Sequence, residues 1–254
     1  MNKLTVLCFI LLISMGQSAP QTECTKTEDD FDNCATHVTV FGNDDMIIPT
    51  SDEEMDKHCN KSFEAVQCIR DYVSKCMSNF PKTVFGVFQY DFKRDMKKRC
   101  HNKEGRAEFM KHMKCGKEKG GFSQLHQCMR NYDAQMEWII LNVPKENRVL
   151  TACCSLHWVH HCFVERSKAM CDAITGPETS GYFDKMVAAT IAEGVDYTCG
   201  KHKSYEDCAE HLDSATWKTL IEIGEDPSKI NFVPRHKSPL TTAIKMFTEL
   251  DQGS

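Results

Sequence analysis

The sequence predicts an all-α fold, a multi-helix array stapled by disulfides. Three observations carry this. Apolar residues recur at steps of three and four over long stretches, the spacing of one helix face. Alternating strand patterns are scarce. Fifteen cysteines occur in 254 residues, and all but Cys8 lie beyond an N-terminal segment with the features of a secretion signal. An even, dense cysteine set behind such a signal reads as a disulfide framework, because disulfides persist in oxidising compartments.

The signal is assigned to residues 1–18. Lys3 supplies the positive charge, Leu4 to Met15 the apolar run, and Gly16, Ser18 and Ala19 the small residues. Pro20 disfavours cleavage immediately before it, which places the cut near Gly16 or Ser18. The apolar run is shorter than the roughly 18 residues that span a bilayer. No later segment is long and apolar enough to cross, so the expected location is extracellular. The formal net charge of −5 argues against general nucleic-acid binding.

Residues 19–50 form an acidic, weakly periodic stretch, expected as an extended, solvated arm pinned by Cys24 and Cys34. Residues 51–225 are expected as a cysteine-rich helical domain. Ser51 and Glu54 have capping-box spacing. The stripe of Met55, Cys59, Phe63, Val66, Ile69, Val73 and Phe80 follows and is expected to end at Pro81. Phe85, Phe88, Phe92, Met96 and Cys100 mark a second helix. Leu125, Met129, Tyr132, Met136, Ile139 and Val143 mark another, stopped by Pro144. The longest run, 145–175, ends at Gly176-Pro177. Shorter helices are expected over 182–193, 204–212 and 214–223. Residues 226–254 read as a C-terminal tail with a short amphipathic helix.

The fourteen framework cysteines are Cys24, Cys34, Cys59, Cys68, Cys76, Cys100, Cys115, Cys128, Cys153, Cys154, Cys162, Cys171, Cys199 and Cys208. Cys59, Cys68 and Cys76 have spacings of nine and eight; Cys154, Cys162 and Cys171 have eight and nine. The similarity raises the idea of two duplicated halves, 51–120 and 121–225. At about 100° per residue, Cys68 points roughly opposite to Cys59, and Cys162 roughly opposite to Cys171 and Cys153. Each long helix therefore needs neighbours on two sides.

No complete catalytic motif is present. The run from Cys153 to Cys162 comes near the Cys-Cys-x-x-His-x-x-Cys signature of secreted phospholipases A2, in which a helical histidine activates water. That would make His157 the base of a lipid-ester hydrolase. Trp158, however, stands where the calcium-binding aspartate belongs, and His160 where a cysteine belongs. His157 and His161, four apart, share a helix face and are candidate metal ligands, with His101, His112 or His126 as a third. The plain alternative is a buried, hydrogen-bonded His160 between two surface histidines. No cofactor is implied.

Lys93, Arg94, Lys97, Lys98, Arg99, Lys103, Arg106, Lys111, Lys114, Lys117 and Lys119 make a basic run. It is either an anion-binding surface or a solvated helix face that complements the acidic arm. Asn60-Lys61-Ser62 is an N-glycosylation sequon. The apolar positions are rich in Phe and Met: Phe85, Phe88, Phe92, Met96, Met110, Met113, Met129, Met136 and Met170. Such adaptable side chains either fill an ordinary core or line a lipid-binding cavity.

The order Cys59-x8-Cys68, Cys76, Cys100, Cys115, Cys128 resembles a family of arthropod haemolymph glycoproteins. So does the run Lys98-Arg99-Cys100-His101-Asn102-Lys103-Glu104-Gly105-Arg106, followed by Leu125-His126-Gln127-Cys128. The resemblance covers about residues 55–200. It implies a secreted, helical glycoprotein of an extracellular fluid and brings no catalytic residues. The functional expectation is a secreted, non-enzymatic binder of a small apolar ligand or of another extracellular protein. A venom or salivary effector is the remaining alternative.

Overall fold

The computed structural model describes residues 24–251 except 39, 45, 47, 120, 232 and 234. The signal segment lies outside the described residues. The described chain is helical, without strands. Its elements are α1 (Glu28–Ala35), α2 (Asp52–Cys76), α3 (Asn79–His101), α4 (Lys103–Glu118), α5 (Ser123–Asn142), α6 (Lys145–Thr175), α7 (Glu178–Thr198), α8 (Tyr205–His211), α9 (Ser214–Glu225), a 3-10 turn (Pro227–Ile230) and α10 (Pro239–Asp251). No helix among the described residues is long and apolar enough to cross a membrane.

Local chemistry sets most boundaries. Ser51 caps α2 by accepting from the Glu54 amide, and Glu54 answers through the amide and hydroxyl of Thr50. The first bond satisfies a donor that the helix start leaves open, and the other two tie Thr50, just before the cap, to the first turn. Gly176, at φ +85°, stops α6 in a conformation that only glycine adopts without strain. Pro81 does not end a helix: α2 stops at Cys76, and Pro81 lies in the first turn of α3. There its missing N–H is no loss, since first-turn amides have no intrahelical partner. Phe80 accordingly belongs to α3.

The acidic arm is not extended. Thr27 and Asp30 form a capping box that starts α1. Phe31, Ala35, Val38 and Phe41 are buried. Phe41 packs against Phe122, Phe163 and Phe183, with ring centroids 5.0–5.6 Å apart. Acidic residues dominate the count, but four well-spaced apolar side chains decide the fate of the segment. The basic run supplies α4, a helix that the apolar pattern did not mark; Phe109, Met113 and Cys115 form its buried side.

All fourteen framework cysteines are paired: Cys24–Cys76, Cys34–Cys68, Cys59–Cys100, Cys115–Cys171, Cys128–Cys162, Cys153–Cys199 and Cys154–Cys208. Cys68 and Cys162 fasten α1 and α5 onto the outer sides of α2 and α6, as the helical spacing required. Two sets of six cysteines share one connectivity. In 24, 34, 59, 68, 76, 100 and in 115, 128, 154, 162, 171, 208 the first pairs with the fifth, the second with the fourth, and the third with the sixth. Six cysteines allow 15 pairings, so the repeat of one pattern marks two equivalent halves. Their extents differ from those read off the spacing: the first reaches back to Cys24, and Cys115 belongs to the second. Cys153–Cys199 is an addition to the second half.

No described disulfide crosses from one half to the other. The halves are joined by the peptide around Asn102, by core packing, and by α10, which packs on α5, α3 and α1. α10 is therefore no loose tail. Ile244 and Met246 are buried, and one carboxylate from each half holds it. Asp32 accepts from the Lys237 and Ser238 amides and the Thr241 hydroxyl at 2.6–3.0 Å. Asp133 accepts from the Thr242 hydroxyl at 2.6 Å.

Candidate functional site

A cavity of about 220 Å³ lies between the halves and under α10. Val66 and Ile69 of α2 and Phe85, Phe88 and Phe92 of α3 line one side. Met129, Tyr132 and Met136 of α5, with Val149, Ala152 and Leu156 of α6, line the other. Leu240, Ala243, Ile244 and Phe247 of α10 roof it. The positions follow from helix geometry. Phe85, Phe88 and Phe92, like Met129, Tyr132 and Met136, are spaced by three, four or seven, so each set shares a face. Phe247 also meets the half-exposed Phe80 at 6.4 Å between ring centroids, where the start of α3 approaches the roof.

The Phe- and Met-rich stripe thus divides. Phe85, Phe88, Phe92, Met129 and Met136 line the cavity, whereas Met96, Met113 and Met170 are buried in the surrounding core. Gln89 of α3 and Tyr132 of α5 bring polar groups to the lining. The Gln89 Nε2 atom is buried without a hydrogen-bond partner. Burial pushes the Tyr132 hydroxyl far above its ordinary pKa, so it stays protonated. Cys153, on the wall, is closed into its bridge with Cys199. Gln89 and the whole of α10 were absent from the sequence-based site. Gln89 had one signal, a lone amide placed four residues after Phe85 inside an apolar stripe.

The histidine cluster does not assemble. His157 is buried, not superficial, and donates from Nε2 to the His202 carbonyl at 3.0 Å. Burial lowers its pKa. His161 is exposed and stacks on Tyr205 at 4.4 Å. His160, expected inside, is only half-buried and pairs with Asp184 at 2.7 Å. The suggested third ligands are engaged elsewhere. His101 stacks on Phe63, His112 bonds the Thr179 hydroxyl, and His126 Nδ1 accepts from the Gly42 amide. Among the described residues no group of three or more His, Cys, Asp or Glu is placed to hold a metal. Trp158, which displaces the phospholipase aspartate, is a packing residue: it is buried against Gly224, where even a Cβ would strike its ring.

The basic run is complemented within the chain at several positions. Arg106 pairs with Asp52 and Asp56 at 3.0 and 2.7 Å, and Lys111 with Glu178 at 2.7 Å. Arg99 is buried beside Asp95 and over the Phe109 ring. Asn60 is exposed on α2, next to the bridged Cys59. Known protein families, curated proteins and solved structures offer no match to this chain.

Proposed function

We propose that this protein is a secreted, non-enzymatic carrier of a small apolar ligand, held in the cavity between its two halves. One observation carries the reading: a cavity with an almost wholly apolar lining persists at the seam of two independently stapled halves, under a helix that no disulfide fixes. Protein interiors hold few spaces larger than a water, and ligand sites favour such seams. The signal-like N-terminal segment and the seven disulfides support an extracellular setting for the carrier. The resemblance to haemolymph glycoproteins agrees with that setting, and the exposed Asn60 is the proposed glycan acceptor.

Native mass spectrometry of the glycoprotein from its source tests this. A bound molecule that is lost on extraction with organic solvent is the expected result. A chain that is always empty, and that takes up no neutral fluorophore such as N-phenyl-1-naphthylamine, overturns it.

A further inference from the structure

We infer that the ligand is an uncharged lipophile carrying one hydrogen-bond-accepting oxygen, a ketone or ester rather than a free carboxylic acid or a bare hydrocarbon. The inference rests on the cavity being the ligand site and adds to it the chemistry of recognition.

Charge decides the first part. None of the described lining residues is Asp, Glu, Lys, Arg or His. A carboxylate enclosed there would lose its hydration without gaining a cation, a penalty far larger than the gain from burying its chain. The described lining offers no Arg or Lys to receive a carboxylate drawn inside.

Unpaired donors decide the second part. The Gln89 amide nitrogen is buried without a partner, although most buried polar atoms in folded proteins have one. The Tyr132 hydroxyl, on the opposite wall, stays protonated and so offers a second donor. Leaving such groups unpaired costs more than pairing them gains, so a hydrocarbon would fill the space and leave that cost in place. A ligand with one carbonyl oxygen removes it once the Gln89 side chain, which lines the cavity, turns its amide towards the ligand. Size sets the third limit. An apolar cavity of about 150 Å³ accepts benzene, and drug-sized ligands need at least about 300 Å³. At about 220 Å³, this cavity suits a compact ring ketone or a medium-length chain.

The test compares three probes of equal chain length, decan-2-one, decane and decanoate, by displacement of N-phenyl-1-naphthylamine from the full-length protein at pH 7.5. Decan-2-one is expected to bind at least fivefold more tightly than decane, about what one net neutral hydrogen bond is worth, and decanoate most weakly. Gln89→Leu and Tyr132→Phe keep the apolar volume. At least one of them should erase the ketone's advantage over decane measured in the same variant. Decanoate binding as tightly as the ketone overturns the inference, as does a ketone advantage that survives both substitutions. Equal binding of all three overturns it while leaving the carrier reading intact. Failure of all three to bind removes both.

Discussion

Thr242 of the last helix donates its hydroxyl to the buried carboxylate of Asp133 at 2.6 Å, while the adjacent Thr241 donates to Asp32. Asp32 belongs to the first disulfide-bonded half and Asp133 to the second. One helix turn of α10 therefore bolts the two halves together and roofs the cavity that lies between them. Asp133 is unusual in its titration. Burial, reinforced by the Glu137 and Asp32 carboxylates and opposed by the Thr242 hydrogen bond, raises its pKa to about 7.

That raised value makes the bolt pH-sensitive. A carboxyl whose folded pKa lies above its unfolded value near 3.8 favours the folded state below that value, and the contribution is lost as pH rises towards 7. His58 acts in the opposite sense: burial lowers its pKa to about 4, so its contribution is lost as pH falls through that range. Arg235 lies beside Glu137, one of the carboxylates that act on Asp133, at 3.8 Å. Asp133→Asn isolates the effect. The variant should unfold less readily than the parent at pH 8, by up to about 4 kcal/mol, and match it near pH 4. Denaturant titration at both values checks this; an unchanged difference between the two values refutes it.

Asp32 has three hydrogen bonds to the start of α10. Asp32→Ala leaves those donors without their acceptor and should loosen α10 before anything else yields. Limited trypsin digestion should then cut at the exposed Arg235 and Lys237 several times faster than in the parent. The destabilisation is expected to be about 2–4 kcal/mol for a buried charged acceptor.

The disulfide map predicts a clean division. With a protease site inserted after Asn102, cleavage should give two pieces that stay together under native conditions. They should separate on a non-reducing denaturing gel, because no described bridge joins residues before Cys100 to residues after Cys115. A single band that splits only after reduction contradicts the connectivity.

Ala243 lines the cavity from α10. Ala243→Phe should fill part of the space and weaken neutral-fluorophore binding at least tenfold, with a stability change below about 3 kcal/mol. Calorimetry together with fluorescence titration separates the two effects.

Gly224 gives a packing control. A methyl group there would strike the Trp158 ring, so Gly224→Ala should cost about 1–3 kcal/mol and leave the cavity probes unaffected at temperatures where the variant is folded.

Much of this was legible in the chain. Met55 to Val73 and Leu125 to Val143 announce their helices because a packed helix must repeat its apolar residues near 3.6, and the outward sulfurs of Cys68 and Cys162 follow from the same period. Other features were hidden for identifiable reasons. The acidic count around Glu28 to Asp45 outweighed Phe31 and Phe41, whose burial depends on a distant pocket of phenylalanines. Pro81 reads as a stop in any local window, but position within a helix decides its cost, and only the break at Met77 fixes that position. His157 and His161 share a face by spacing, yet one turns to the His202 carbonyl and the other to Tyr205.

By itself the sequence determined the all-α class, the long helices and the demand for a disulfide framework, since these depend on periodicity and composition within single segments. Which sulfurs join, that they form two repeated sets, that α10 bridges them and that Gln89 lines an apolar cavity were decided by tertiary structure alone. Each depends on which segments meet in space, and the free energy of such meetings is spread over residues far apart in the chain.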